Sequence, residues 1–377
     1  MKGKQGMVCM GLLLVLSSCH TGKQITASGL QRKDFQTEVN GQHTDLFTLS
    51  NKQGMEVCIT NYGARVVSIL VPDRNGKRED VVCGFSTITE YMEQRQNFGS
   101  TVGRYIGRIL NARFTLDGVE YKLVPNNGKS GHISHGGNPG FADRIWKVEQ
   151  ADTHRVRLSY LSPDGENGFP GNLKVTLVYS LGEDDNALDL TYEATTDAPT
   201  VLNLSHHSFF NISGNFTKSV EDQQLWVDAD RFTPYDDKKC VTGEYLQVAG
   251  TPLDFRMPHA IGECIDADHP QLKVVNGYDH TWELNTKGDD TRPAAWVYDP
   301  ASGRKMEIFT TEPGMQIYTG NGLKGKMTGK RGIAYPFRSA VCFETMHFQD
   351  SPNQPEFPST VLRPGEVFHS HTVYKFE

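Results

Sequence analysis

ARFTLDGVEYKLV (residues 112–124) is the stretch that decides the fold class. Apolar and polar residues alternate on both sides of Asp117-Gly118. That dipeptide between alternating runs is the strongest short hairpin signal, because both central turn positions need a positive φ. Working outward, LKVTLVYSL (173–181), ALDLTYEATT (187–196), AWVYDP (295–300) and RKMEIFTT (304–311) repeat the same two-residue period. Turn clusters such as SPDGENGFPG (162–171) and LGEDDN (181–186) separate them. One helix is expected, over Thr87–Gln96, with the threonines as cap candidates. No internal repeat, low-complexity tract or Pro/Ser linker divides the chain. These features predict one domain over 33–377, an all-β fold of stacked antiparallel sheets with function in loops or a concave face.

The start reads differently. MKGKQGMVCMGLLLVLSSC (1–19) has two early lysines, an apolar run from Met7 to Leu16 and small residues ending at Cys19. The run is about ten residues against roughly 20 needed to span a bilayer, so 1–18 is a signal peptide, not a span. Leu16-Ser17-Ser18-Cys19 is similar to a bacterial lipobox, which makes Cys19 the expected lipidation site and 19–32 a flexible tether. The expected location is periplasmic or anchored at the outer membrane, with membrane contact only through the lipid. Losing two lysines and no acids with the signal takes the formal charge from −7 to −9, which excludes nucleic acid as a natural partner. The remaining cysteines (58, 83, 240, 264 and 342) include no CxxC, so no zinc cluster or redox pair is expected. Cys58 and Cys342 lie in apolar runs and read as buried thiols.

Five polar stretches stand out. In NLSHHSFFNISG (203–214) two histidines are adjacent, and a strand sends adjacent side chains to opposite faces. If 201–211 is one unbulged strand, His206 joins Leu202 and Leu204, while His207 joins Asn203, Ser205, Phe209 and Asn211 in a polar row suited to a polyol. Parity points to His207; a structural role for both is the alternative. In HISHGG (132–137), His135 precedes two glycines whose backbone can approach a ligand closely. His132 and His135 form a conceivable metal pair, but no third ligand has helpful spacing nearby. NGYDHTWEL (276–284) sets Asp279 among aromatics, a grouping that grips sugar hydroxyls, or else a surface strand with exposed acids. In AVCFETMHF (340–348), Glu344 is the one acid in an apolar strand, sharing its face with Cys342 and Met346; such a carboxylate is paired or used. GRYIGRI (103–109) places Arg104 and Arg108 on one face of a strand, where either could orient a ligand.

Taken in order with PGMQIYTGN (313–321), FET (343–345) and LRPGE (362–366), these stretches make the chain resemble the galactose mutarotase (aldose 1-epimerase) family from about residue 45 to the C-terminus. The resemblance implies a large β-supersandwich with few short helices, acting as a monomer on a monosaccharide such as galactose or glucose. It also implies His207 as proton donor, Glu344 as proton acceptor, and Arg108, His135, Asp279 and Gln316 as sugar-binding residues. Gly107 and Phe209 occupy binding positions where the family usually has Asn and Tyr; His206 and Ser134 also depart from the family pattern. Interconverting α- and β-pyranoses by acid–base ring opening and closure requires neither metal nor organic cofactor. Two other readings use the same residues: a glycoside hydrolase or polysaccharide lyase, which would need a long groove, and a non-catalytic sugar-binding lipoprotein.

Overall fold

The computed structural model describes residues 25–377. The expected signal peptide, Cys19 and the first part of the expected tether lie outside the described residues. The rest of that tether, 25–32, is part of the fold. Ile25 bridges to Gln31, Leu30 is buried, and the N–H groups of Ala27 and Ser28 donate to the Glu56 carboxylate at 3.0 and 3.1 Å. Polar composition suggested a linker, but these backbone donors satisfy a carboxylate that is only 2% exposed.

Among the described residues every pair of strands in the sheets runs antiparallel. A nine-stranded sheet runs, in spatial order, from Lys147–Ala151 through Leu173–Leu181, Ala187–Thr196, Phe368–Phe376 and Lys305–Thr310 to His259–Ala260. A six-stranded sheet has the order Phe209–Phe210, Val341–Met346, Gly314–Tyr318, Asp279–Glu283, Arg231–Thr233, Leu246–Gln247. The two pack face to face. Val341, Phe343, Ile317 and Trp282 from the smaller sheet share one buried cluster with Ile308, Leu190 and Tyr374 from the larger. Tyr374 Oη donates to the Phe343 carbonyl at 2.9 Å, locking the layers in register. A four-stranded sheet from Leu46–Ser50 to Arg78–Asp80 contributes to the same core.

The hairpin forms as expected. Arg113–Leu116 pairs with Val119–Lys122 around Asp117 (φ 52°) and Gly118 (φ 80°). The expected helix is Ile88–Gln94, capped by Thr87 and Glu90 in a reciprocal capping box. Two further short helices, Ile261–Cys264 and Pro270–Val275, were not anticipated; Pro270 at the first turn and Asn276 in the left-handed conformation at the end mark the second. No helix among the described residues is long and apolar enough to cross a membrane.

Candidate active site

Cross-strand register builds the floor of the site. In the six-stranded sheet Phe209 pairs with Cys342, Cys342 with Tyr318, and Tyr318 with Asp279, so four side chains form one row. Two residues along, Glu344, Gln316 and Thr281 form the next row on the same face. The intervening residues Phe343, Ile317 and His280 point into the sandwich core, which holds the floor rigid.

Loops build the walls. Gly107 (φ +74°) turns the chain into a two-residue strand, Arg108–Ile109, that pairs with Ile133–Ser134. His135 follows in the left-handed region (φ 52°), its N–H donating to the Gly107 carbonyl at 2.9 Å. Gly136 is obligatory beside it: a Cβ there would lie 2.0 Å from the Gly103 carbonyl oxygen. Asn167, from the turn-rich stretch 162–171, braces this loop by donating to the Gly136 and Pro139 carbonyls at 2.9 Å each. His207 ends the strand Ser205–His207, which pairs with Ser100–Val102.

The result is a cavity of about 250 Å³ lined by all eight residues that the family resemblance implies as catalytic or sugar-binding: Gly107, Arg108, His135, His207, Phe209, Asp279, Gln316 and Glu344. Ser134, Tyr318, Met346, Gln349, Gln96 and Asn97 complete the lining. Tyr318 and Met346 carried a readable signal, two residues beyond Gln316 and Glu344 on the same faces. Gln349, Gln96 and Asn97 lie past strand or helix ends, where parity says nothing. A polar depression of about 390 Å³ adjoins the cavity and shares Arg108, Ser134, His135 and Asn97 with it.

His207 Nε2 stands 3.4 Å from Glu344 Oε1, with both side chains almost fully buried. Phe209 stacks on the imidazole at 5.1 Å, and the His135 ring meets it edge-on at 5.4 Å. Gln316 is held from three sides: Thr281 Oγ1 and Gln349 Nε2 donate to its Oε1 at 2.5 and 3.3 Å, and its own Nε2 donates to Asp279 Oδ1 at 2.7 Å. Arg108 donates to the Lys239 carbonyl at 3.2 Å.

Burial dominates the electrostatics. Desolvation pushes the Glu344 carboxyl well above its ordinary range, with the Asp279 charge adding to the effect. Desolvation also pushes His207 well below the usual histidine range, with His135 next in importance, and takes His135 down to about 4. Asp279 is raised by burial, against the opposing pull of Arg108. The free site therefore favours a neutral imidazole beside a protonated carboxyl. Among the described residues, His207, Cys342 and Glu344 are also the one grouping with metal-ligand spacing, their donor atoms lying within 4.8 Å of one another.

Several expectations need correction. Residues 201–211 are not one strand: the chain leaves its pairing with Ser100–Val102 after His207 and takes up Val341–Met346 at Phe209. Asn203 and Asn211 consequently leave the polar row; Asn203 clamps the His347 backbone, and Asn211 donates to the Asn215 and Lys218 carbonyls of the loop that follows and to the Ser339 carbonyl. Parity was right about His206, which is a core histidine bonded to Ser208 Oγ at 2.7 Å. Arg104 and Arg108 do not share a face, because the left-handed Gly107 intervenes. Arg104 is buried and donates to the Ser162, Pro163 and Pro170 carbonyls. The aromatics around Asp279 point into the core, and Asp279 alone of that stretch lines the cavity. His132 makes no pair with His135; its Nδ1 accepts from the Asn111 N–H at 2.9 Å and its Nε2 faces Cys240 Sγ at 3.3 Å.

The aldose 1-epimerase family model matches residues 45–375. The chain belongs to the aldose 1-epimerase family. Bovine galactose mutarotase is 40% identical over 88% of this chain and 93% of its own length. The aldose 1-epimerase of Escherichia coli K12 is 37% identical over 89% of this chain and 96% of its own. Among solved structures, the aldose epimerase homologue from C. elegans superposes with a TM-score of 0.81 at 31% identity, covering 89% of this chain and 99% of that one. The protein is thus an isomerase with aldose 1-epimerase activity, on the galactose mutarotase-like fold that the antiparallel sheets and short helices describe.

Proposed function

We propose that the protein interconverts the α- and β-anomers of galactose- or glucose-type aldohexoses, with Glu344 and His207 as the proton-transfer pair. The observation that carries this is the 3.4 Å between His207 Nε2 and Glu344 Oε1 inside the cavity. The exchangeable O1 hydroxyl and the ring oxygen O5 are bonded to the same carbon, so base and acid must act almost side by side. The Glu344 carboxylate takes the O1 proton, the C1–O5 bond breaks, and O5 takes the proton of the His207 imidazolium. Rotation about C1–C2 presents the other aldehyde face, and the two protons return by the reverse transfers. Ring opening converts a buried ion pair into a neutral carboxyl and a neutral imidazole, the form that burial favours. Arg108, His135, Asp279 and Gln316 hold the pyranose against the pair.

Polarimetry on freshly dissolved α-glucose and α-galactose tests the assignment. His207→Gln and Glu344→Ala should each lower kcat by about 10²–10⁴-fold, the usual worth of one acid or base. A rate near that of the wild type in either variant would remove it. We further propose export as a lipoprotein attached through Cys19 and facing the periplasm or held at the outer membrane, on the strength of the leader and its Leu-Ser-Ser-Cys ending. Palmitate labelling that persists in Cys19→Ser would overturn that reading.

A further inference from the structure

Gly107 and Gln349 occupy one space from opposite sides of the cavity wall. A Cβ built on Gly107 would lie 2.5 Å from Gln349 Cγ and 3.0 Å from its Cδ, so no side chain fits at 107 while Gln349 keeps its position. That position is closely defined. Gln349 is 5% exposed and lines the cavity, and its Nε2 donates to Tyr235 Oη at 2.7 Å and to Gln316 Oε1 at 3.3 Å. Both amide hydrogens are therefore committed. Its Oε1 accepts no hydrogen bond from the described residues, leaving one oriented acceptor beside Gln316 and Asp279.

We propose that Gln349 is a sugar-binding, specificity-determining residue. Its Oε1 accepts from one hydroxyl of the aldose, and Gly107 is the gap that admits its carboxamide. The proposal rests on an aldose being the ligand of this cavity. The acceptor is fixed by two hydrogen bonds and cannot follow a hydroxyl to the other face of the ring. An epimer inverted at that carbon leaves it unpaired, which is how a polar site rejects a near-isostere. Gly107 sits at φ +74°, a conformation that Asn tolerates better than other side-chain-bearing residues. The same carboxamide could therefore be supplied from position 107 once Gln349 is cut back.

The experiment is a double-substitution cycle, with Kd for a panel of aldoses by calorimetry and KM and kcat by polarimetry. Gln349→Met keeps the volume and removes the amide. It should raise Kd and KM for the preferred aldose about tenfold, the worth of one hydrogen bond, leave kcat within about twofold, and narrow the preference between epimers. Gly107→Asn alone should weaken binding at least as much, because its side chain collides with Gln349. Gly107→Asn combined with Gln349→Ala should recover to within about threefold of the wild type, a favourable coupling between positions 242 residues apart in the chain. Wild-type affinity in Gln349→Met, or a double variant no better than Gln349→Ala alone, would overturn the proposal. Failure of the wild-type protein to bind any aldose would instead remove the functional reading beneath it, so the two failures are distinguishable.

Discussion

A buried acid–base pair titrates as a unit, and the charge it carries is set more by desolvation than by the attraction between its members. A carboxylate alongside would by itself keep His207 charged, but burial lowers His207 and raises Glu344. In the proposed mechanism the active form holds one proton on the pair. A second is gained only below the ordinary histidine value of 6.5, and the last is lost well above the ordinary carboxylate value of 4.5. The kcat/KM profile, which reads the free site, should therefore have its acid limb below 6.5 and its alkaline limb well above 4.5. Asp279 is the charge that adds to the rise in Glu344, so Asp279→Asn should move the alkaline limb to lower pH while reducing kcat/KM about tenfold through a lost sugar contact. A limb that stays in place would show that Asp279 does not act on Glu344. At this scale the cavity lining was legible: an acid alone in an apolar strand and a histidine before two glycines both announce unusual surroundings, and both face the cavity. Protonation was not legible, because it depends on how completely the pair is removed from water.

Elements repeat the lesson in another form. Strand parity assigned His207 to the polar face correctly, although the strand it assumed breaks after that residue. The two faces remain distinct because each half pairs with a neighbour whose own register is fixed. Gln349 had no such guide, lying past the end of Val341–Met346, where alternation stops. The C-terminal strand Phe368–Phe376 makes a testable case, for it is the strand that joins the two halves of the nine-stranded sheet. From it His371 reaches Asp189 Oδ2 at 2.7 Å and Asp290 Oδ2 at 2.6 Å, and these partners raise its pKa to about 9. A raised histidine contributes stability that is fully present below its unfolded value of 6.5 and lost as pH rises through about 9. His371→Gln should cost about 1 kcal/mol at pH 6, given the partial exposure of the pair, and nothing by about pH 10. Paired thermal melts across that range read the difference directly. A penalty independent of pH would mean that His371 contributes by packing and not by charge.

Over the whole molecule, the site joins segments that are distant in sequence: His207 and Glu344 are 137 residues apart, and Gly107 faces Gln349 across 242. No local pattern encodes such meetings; they follow from which strands neighbour one another, and ordered family motifs brought His207 and Glu344 together where periodicity could not, while Gln349 went unread. The N-terminal boundary shows the limit of composition most plainly. Residues 25–32 look like solvent-exposed linker, yet they fold back to bury Leu30 and to donate two backbone N–H groups to Glu56. Those are the two backbone donors to a carboxylate that is 2% exposed. Removing them would leave a buried charge short of partners and uncover the apolar surface under Leu30, costs of about 1–3 kcal/mol for the lost donors and about 1.5–3 kcal/mol for the leucine. A chain beginning at residue 25 should match the stability and kcat of a chain beginning at residue 20. A chain beginning at residue 33 should lose about 3–5 kcal/mol in denaturant titrations while keeping its kcat under native conditions, because the cavity draws no residue from this segment. Equal midpoints for the two truncations would show that 25–32 is a tether after all, and that Glu56 finds its partners in water.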